Sequence, residues 1–124
     1  MNPAFNREFW AALDALISTH AWVIDRPAGT SHPRFPDIVY PYDYGYLEGT
    51  TAADGGGVDL WVGSEVPKSL TGVVMTVDLF KKDTELKLLI GCTLEEMQRI
   101  EVHHNGASQS GVLIVRDDDA PMSR

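Results

Sequence analysis

Between residues 21 and 116 the apolar runs of this chain are short and the turn signals between them frequent, and that spacing restricts the fold more than any other feature. Residues 21–26, 58–62, 70–79, 84–90 and 111–116 each have strand length, with β-branched or alternating apolar content. Within 84–90, Glu85 and Lys87 fall on one face and Leu86 and Leu88 on the other. Pro27, Pro33 and Pro36 bar regular structure from most of 27–36, and Asp54-Gly-Gly-Gly reads as a turn. Helical spacing occurs twice. Phe5, Phe9, Leu13, Leu16 and Ile17 line one face of a helix over 3–18, with Asn2 as its cap. Thr93-Leu-Glu-Glu96 is a capping box that opens a second helix to about His104, where Asn105-Gly106 stops it. About five or six strands, one helix at the start and one before the last strand predict a mainly β, α+β fold, built on a small closed or partly closed barrel.

A length of 124 residues suits a single domain over 1–124, with the N-terminal helix in 1–19 and a frayed tail at 117–124. The net charge of −8 excludes a general nucleic-acid binder, which needs clustered Lys and Arg. It does not exclude a phosphate ligand, because cations can sit between carboxylates and phosphate. The single cysteine, Cys92, permits no intrachain disulfide and lies in an apolar run, which predicts a buried inert thiol. No run approaches the ~18 apolar residues of a membrane span, and the N-terminus lacks a secretory pattern. The expectation is a cytoplasmic protein without a membrane partner.

Three constellations bear chemically useful groups. Asp54 and Asp59 flank the glycine-rich turn, where a ligand can approach the backbone, and hard oxygens at that spacing suit Mg²⁺. On spacing alone a polar hairpin turn that happens to contain aspartates is the simpler reading. Asp78, Asp83, Glu85 and Lys87 place acids beside a lysine, a composition suited to metal and phosphate, or to a solvated hairpin of mixed charge. Arg34, with His32 close by, sits in the stiff proline-rich loop as a potential phosphate clamp or an exposed loop arginine. The pair His103-His104 suits partial positive charge at a helix end. Trp10, Trp22 and Trp61 read as core or interface residues. All four tyrosines lie in 40–46, where they suit a strand and offer hydroxyls at the rim of a site.

Tyr40-Pro-Tyr-Asp-Tyr44-Gly-Tyr46, followed by Asp54-Gly-Gly-Gly-Val-Asp59, resembles the core of the family I soluble inorganic pyrophosphatases. There a Tyr-Pro-x-Asn-Tyr-Gly block precedes Asp-Gly-Asp-Pro-x-Asp at the same interval. The lead-in Ile24-Asp25-Arg26-Pro27, then Arg34-Phe35, is similar to that family's Glu-Ile-Pro and Lys-Tyr, and Glu85-Leu-Lys87 to its Asp-x-Lys. The resemblance spans about 22–104. It implies a five-stranded OB-like barrel, a homo-oligomer, and Mg²⁺-dependent hydrolysis of pyrophosphate to two phosphates. It further implies Asp54, Asp59 and Glu85 as metal ligands, joined by Asp78 or Asp83, with Asp25 binding metal through water. Lys87, Arg34 and Tyr44 would contact phosphate, and Tyr40 would support the site. Gly56 stands where that family has its middle aspartate, and Pro36 where it has an acid. The hairpin bearing a phosphate-binding arginine and the Tyr-Lys pair of the C-terminal helix are missing. The expected function is pyrophosphate hydrolysis, and the alternatives are hydrolysis of a larger phosphoanhydride or phosphoester, or a non-catalytic module that binds phosphate or a partner.

Overall fold

The computed structural model describes residues 3–117, with side chains from residue 7. Asn2, the Phe5 side chain and the tail beyond Asp117 lie outside the described residues, and with them the expected cap and frayed end. Helix α1 (Pro3–Ser18) is followed by strands β1 (Trp22–Arg26), β2 (Asp43–Leu47), β3 (Val58–Val62), β4 (Leu70–Asp78) and β5 (Asp83–Ile90). Helix α2 (Leu94–His103) and strand β6 (Gln109–Val115) complete the chain. Among the described residues no helix is long and apolar enough to cross a membrane.

The strands form one mixed sheet in the order β1-β2-β3-β5-β4-β6. The mainly β reading and the places of both helices agree with expectation. The expected five-stranded barrel instead has six strands and stays open, because β1 and β6 lie at opposite edges and do not pair. The ladder is antiparallel except between β3 and β5, which run parallel with β4 displaced outside them. Gly45 lets β1 lie this close to β2, since a Cβ there would come within 1.8 Å of the Val23 carbonyl oxygen.

Alternation along the strands divides the core between two faces. On one, α1 packs Trp10 and Leu13 against Leu47, Leu60, Val73 and Leu88. Leu13, Leu16 and Ile17 of the expected stripe pack on this cluster, but Trp10 takes the place expected of Phe9. Trp10 is 2% exposed, whereas Phe9 is 36% exposed and lies edge-on to it at 5.3 Å. The helix ends where Thr19 Oγ1 donates to the Ala15 carbonyl at 2.8 Å and the His20 ring meets that of Leu16, so side chains satisfy the last carbonyls. Arg116 holds Asp14 with two contacts of 2.8 Å, tying α1 to the far end of the chain.

On the other face, Met97 and Ile100 of α2 cover Trp61, Val74 and Leu89. The expected capping box is present, with Glu96 N–H donating to Thr93 Oγ1 at 3.1 Å and Thr93 N–H to Glu96 Oε1 at 2.9 Å. Cys92 is buried here, and burial pushes its thiol up to about 12, so it is inert as expected.

Candidate active site

Beyond the edge of α2 this second face becomes polar. The strand period puts Tyr44 of β2, Asp59 and Trp61 of β3, and Glu85 and Lys87 of β5 on the same side of three adjacent strands. Lys87 Nζ lies 2.6 Å from Glu85 Oε1, 2.9 Å from Asp59 Oδ2 and 3.0 Å from the Tyr44 hydroxyl. An ammonium has three donors, so all are engaged. The Tyr44 hydroxyl in turn donates to Asp59 Oδ2 at 2.6 Å. The side chains of Lys87 and Glu85 are 6% and 7% exposed, and that of Asp59 27%, so the cluster is dry at its base and open at Asp59.

Burial works against charge on Lys87, but Tyr44, Asp59 and Glu85 more than offset it and raise its pKa above the ordinary value. Burial, joined by the Asp59 carboxylate, also raises Tyr44 well above the usual phenol range, so it remains a donor. Glu85 is raised by burial, against the pull of Lys87, and Asp54 and Asp59 add to the rise. Asp54 is lowered by the Gly56 N–H, which donates to its Oδ1 at 3.0 Å, and by Glu85.

The site therefore gathers three carboxylates, Asp54, Asp59 and Glu85, around the buried ammonium of Lys87, with Lys81 acting on Asp54 from outside. Glu85 Oε2 is buried and accepts no hydrogen bond. A buried oxygen without a partner, in a set of hard donors with excess negative charge, fits a divalent cation of the Mg²⁺ type. The side chains do not themselves converge as a ready cage: among the described residues no three His, Cys, Asp or Glu surround one point.

Tyr40 sits beside this cluster. It precedes β2 and is buried, its ring 5.1 Å from that of Tyr44 and 5.7 Å from that of Trp61. The other expected residues stand apart from the lysine. Asp78 Oδ1 accepts from the backbone N–H groups of Phe80 and Lys81, each at 3.0 Å, and from Ser108 Oγ at 2.9 Å, so it shapes the β4–β5 turn. Asp83 pairs with it across that turn. Arg34 is exposed, with its guanidinium 5.9 Å from the centre of the neighbouring Phe35 ring. Asp25 is exposed as well.

Sequence reasoning missed two neighbours of the site. Arg26 donates to the Tyr40 hydroxyl, and the His103 ring lies 5.6 Å from that of Tyr40. A helix-end pattern gave His103 and His104 partial positive charge, but both are lowered by burial first and by Lys87 after it, His104 to about 3. The reason is packing: α2 presses both rings onto Trp61. No sequence signal led there, because Trp61 and His104 are 43 positions apart in the chain.

No protein-family profile matches the chain, and no curated protein matches it by sequence. Solved structures do. An inorganic pyrophosphatase from Neisseria gonorrhoeae superposes with a TM-score of 0.58 at 19% identity, covering 72% of this chain and 77% of that one. An inorganic pyrophosphatase from Coxiella burnetii superposes with a TM-score of 0.57 at 16% identity, covering 80% and 86%. The chain has a pyrophosphatase-like fold.

Proposed function

We propose that this chain hydrolyses inorganic pyrophosphate to two phosphates with the help of a divalent metal ion, Mg²⁺ in the first instance. The observation that carries the reading is the buried Lys87 joined to Tyr44, Asp59 and Glu85, with Asp54 and an unpartnered Glu85 oxygen beside it. Asp54, Asp59 and Glu85 would hold the metal, with Asp78, Asp83 and Asp25 as the remaining acids the family resemblance nominates. Bound there, such an ion brings the pKa of a coordinated water towards neutrality and offsets phosphate charge. Lys87 supplies a fixed positive charge in a dry setting, where it acts most strongly on a developing phosphate anion. Tyr44 keeps its proton and donates, Tyr40 walls the site, and Arg34, exposed on its loop, is the further phosphate contact that the family resemblance nominates. A cytoplasmic homo-oligomer is part of this reading, and the exposed cross-strand pair Met75 and Val112 leaves apolar surface for a subunit contact.

The test is phosphate release from pyrophosphate with and without Mg²⁺, alongside Asp59→Asn. Release that needs Mg²⁺ and falls on the order of 10²–10⁴-fold in the variant is expected. A folded protein that releases none would reject hydrolysis of pyrophosphate. Gly56 favours a second reading, since it leaves the turn one carboxylate short of the family pattern. That reading is cleavage of a larger phosphoanhydride or phosphoester, or phosphate binding without turnover. Nucleotide and sugar phosphates in the same assay separate the two.

A further inference from the structure

A β-bulge lies between Ile24 and Arg26, where β1 slips by one residue against β2. Ile24 pairs with Gly45, and Arg26, not Asp25, pairs with Tyr44. Directly paired residues share a face of the sheet, so the bulge turns a cation towards the site where regular pairing would have turned an acid. The half-buried Arg26 guanidinium donates to the Tyr40 hydroxyl, its central carbon 5.6 Å from the centre of that ring. No other group among the described residues accepts a hydrogen bond from it. One of five N–H donors is thus engaged, and the others are open to a ligand.

Beside this guanidinium, two imidazoles flank Tyr40. His32 stacks on its ring at 6.3 Å and His103 approaches at 5.6 Å. His32 Nδ1 accepts the Arg34 N–H at 3.0 Å, which leaves Nε2 to carry the ring proton. Burial, and then the charges of Arg26, Arg34 and Lys81, lower the His32 pKa, so these cations act on one region. Asp25, the one acid acting on Arg26, is exposed. Tyr40 and Tyr44 therefore separate an acidic end at Asp54, Asp59 and Glu85 from a basic end at Arg26.

We propose that Arg26 binds the phosphoryl group of pyrophosphate that lies away from the carboxylates, with the Tyr40 hydroxyl orienting its guanidinium. The proposal rests on the pyrophosphate reading and adds a residue to it. A guanidinium presents a planar fork that matches two phosphate oxygens, which an ammonium cannot do. Held at one corner by Tyr40, it meets the ligand with its orientation already set.

The experiment compares the full-length chain with Arg26→Gln, Arg26→Lys and Tyr40→Phe. Turnover is measured with pyrophosphate and Mg²⁺, binding with imidodiphosphate, its non-hydrolysable analogue, and folding by thermal melting. Arg26→Gln is expected to raise KM and Kd about 10–100-fold, the range of a lost charged hydrogen bond, with kcat changed less. Arg26→Lys recovers part of that loss, and Tyr40→Phe falls between it and the native chain. An unchanged Kd in folded Arg26→Gln overturns the proposal and leaves the hydrolysis reading intact. Should that variant not fold, a native Kd in Arg26→Lys overturns it instead. Arg26-dependent binding without turnover removes hydrolysis and keeps the site. No binding by the native chain removes both.

Discussion

The indole N–H of Trp61 donates to Nε2 of His104 at 3.0 Å, and Nδ1 of the same ring meets Gln109 Oε1 at 2.9 Å. The first bond makes Nε2 an acceptor, so Nδ1 carries the proton and donates to Gln109. The buried imidazole is neutral, and a second proton would break the bond to Trp61. Its pKa falls from an ordinary 6.5 to about 3, with burial the main cause. The folded state thus binds fewer protons than the unfolded chain between these values, and the stabilisation is complete above pH 6.5 and lost as pH falls. Stability should drop by up to roughly 1.4 kcal/mol per pH unit through that window. His32 and His103, also lowered, add in the same direction. Denaturant melts from pH 7 to pH 4 check this, and His104→Gln should flatten the slope.

Lys87 gives a second expectation. Lys87→Met removes the only cation among the described residues that is bonded to the buried Glu85. Leaving a buried charge unpaired costs about 3–5 kcal/mol, while replacing both partners by apolar groups costs far less. Lys87→Met should lower the melting temperature strongly, and adding Glu85→Leu should restore most of it. A double variant no more stable than the single one would contradict the pairing.

Position 56 gives a third. A Cβ on Gly56 would meet only Asp54 Oδ1, at 3.4 Å, an ordinary contact. Its neighbour Gly57 differs, since a Cβ there would come within 2.9 Å of the Leu47 carbonyl oxygen. Gly56→Asp should fold with a stability change within about 1 kcal/mol. Under the hydrolysis reading, a carboxylate beside Asp54 should raise Mg²⁺-dependent phosphate release by about tenfold or more. Equal rates in the two proteins would mean that a third carboxylate at this turn does nothing for the chemistry.

The outer edge of β6 gives a fourth. Glu101 Oε2 accepts the Leu113 N–H at 2.8 Å, and Asn105 exchanges two hydrogen bonds with the Gly111 backbone. Side chains of α2 and its C-terminal turn thereby satisfy an edge that would otherwise recruit another strand. Glu101→Ala should cost about 1–2 kcal/mol and speed amide exchange at Leu113. Native exchange at that amide in the variant would show that the carboxylate is not its protector.

Local rules carried a good part of the structure. β3 runs over the expected residues 58–62, the Thr93–Glu96 box opens α2, and Glu85 and Lys87 share a face because a strand has a period of two. Such features need only neighbours in sequence, so Asp59, Glu85 and Lys87 could be nominated from spacing, while Tyr44 was singled out from the four tyrosines by the family resemblance. Whether they meet depended on β2, β3 and β5 lying side by side, which requires a parallel pairing between strands separated by all of β4. That pairing is non-local and leaves no periodic signature. The six-stranded open sheet, the burial that neutralises His104, and the turn-shaping role of Asp78 belong to the same class. The sharpest case is the bulge in β1, where one extra residue exchanges Asp25 for Arg26 opposite Tyr44. A one-residue slip inverts which side chain meets the site. Register is settled by packing against the partner strand, so only the tertiary structure decided it.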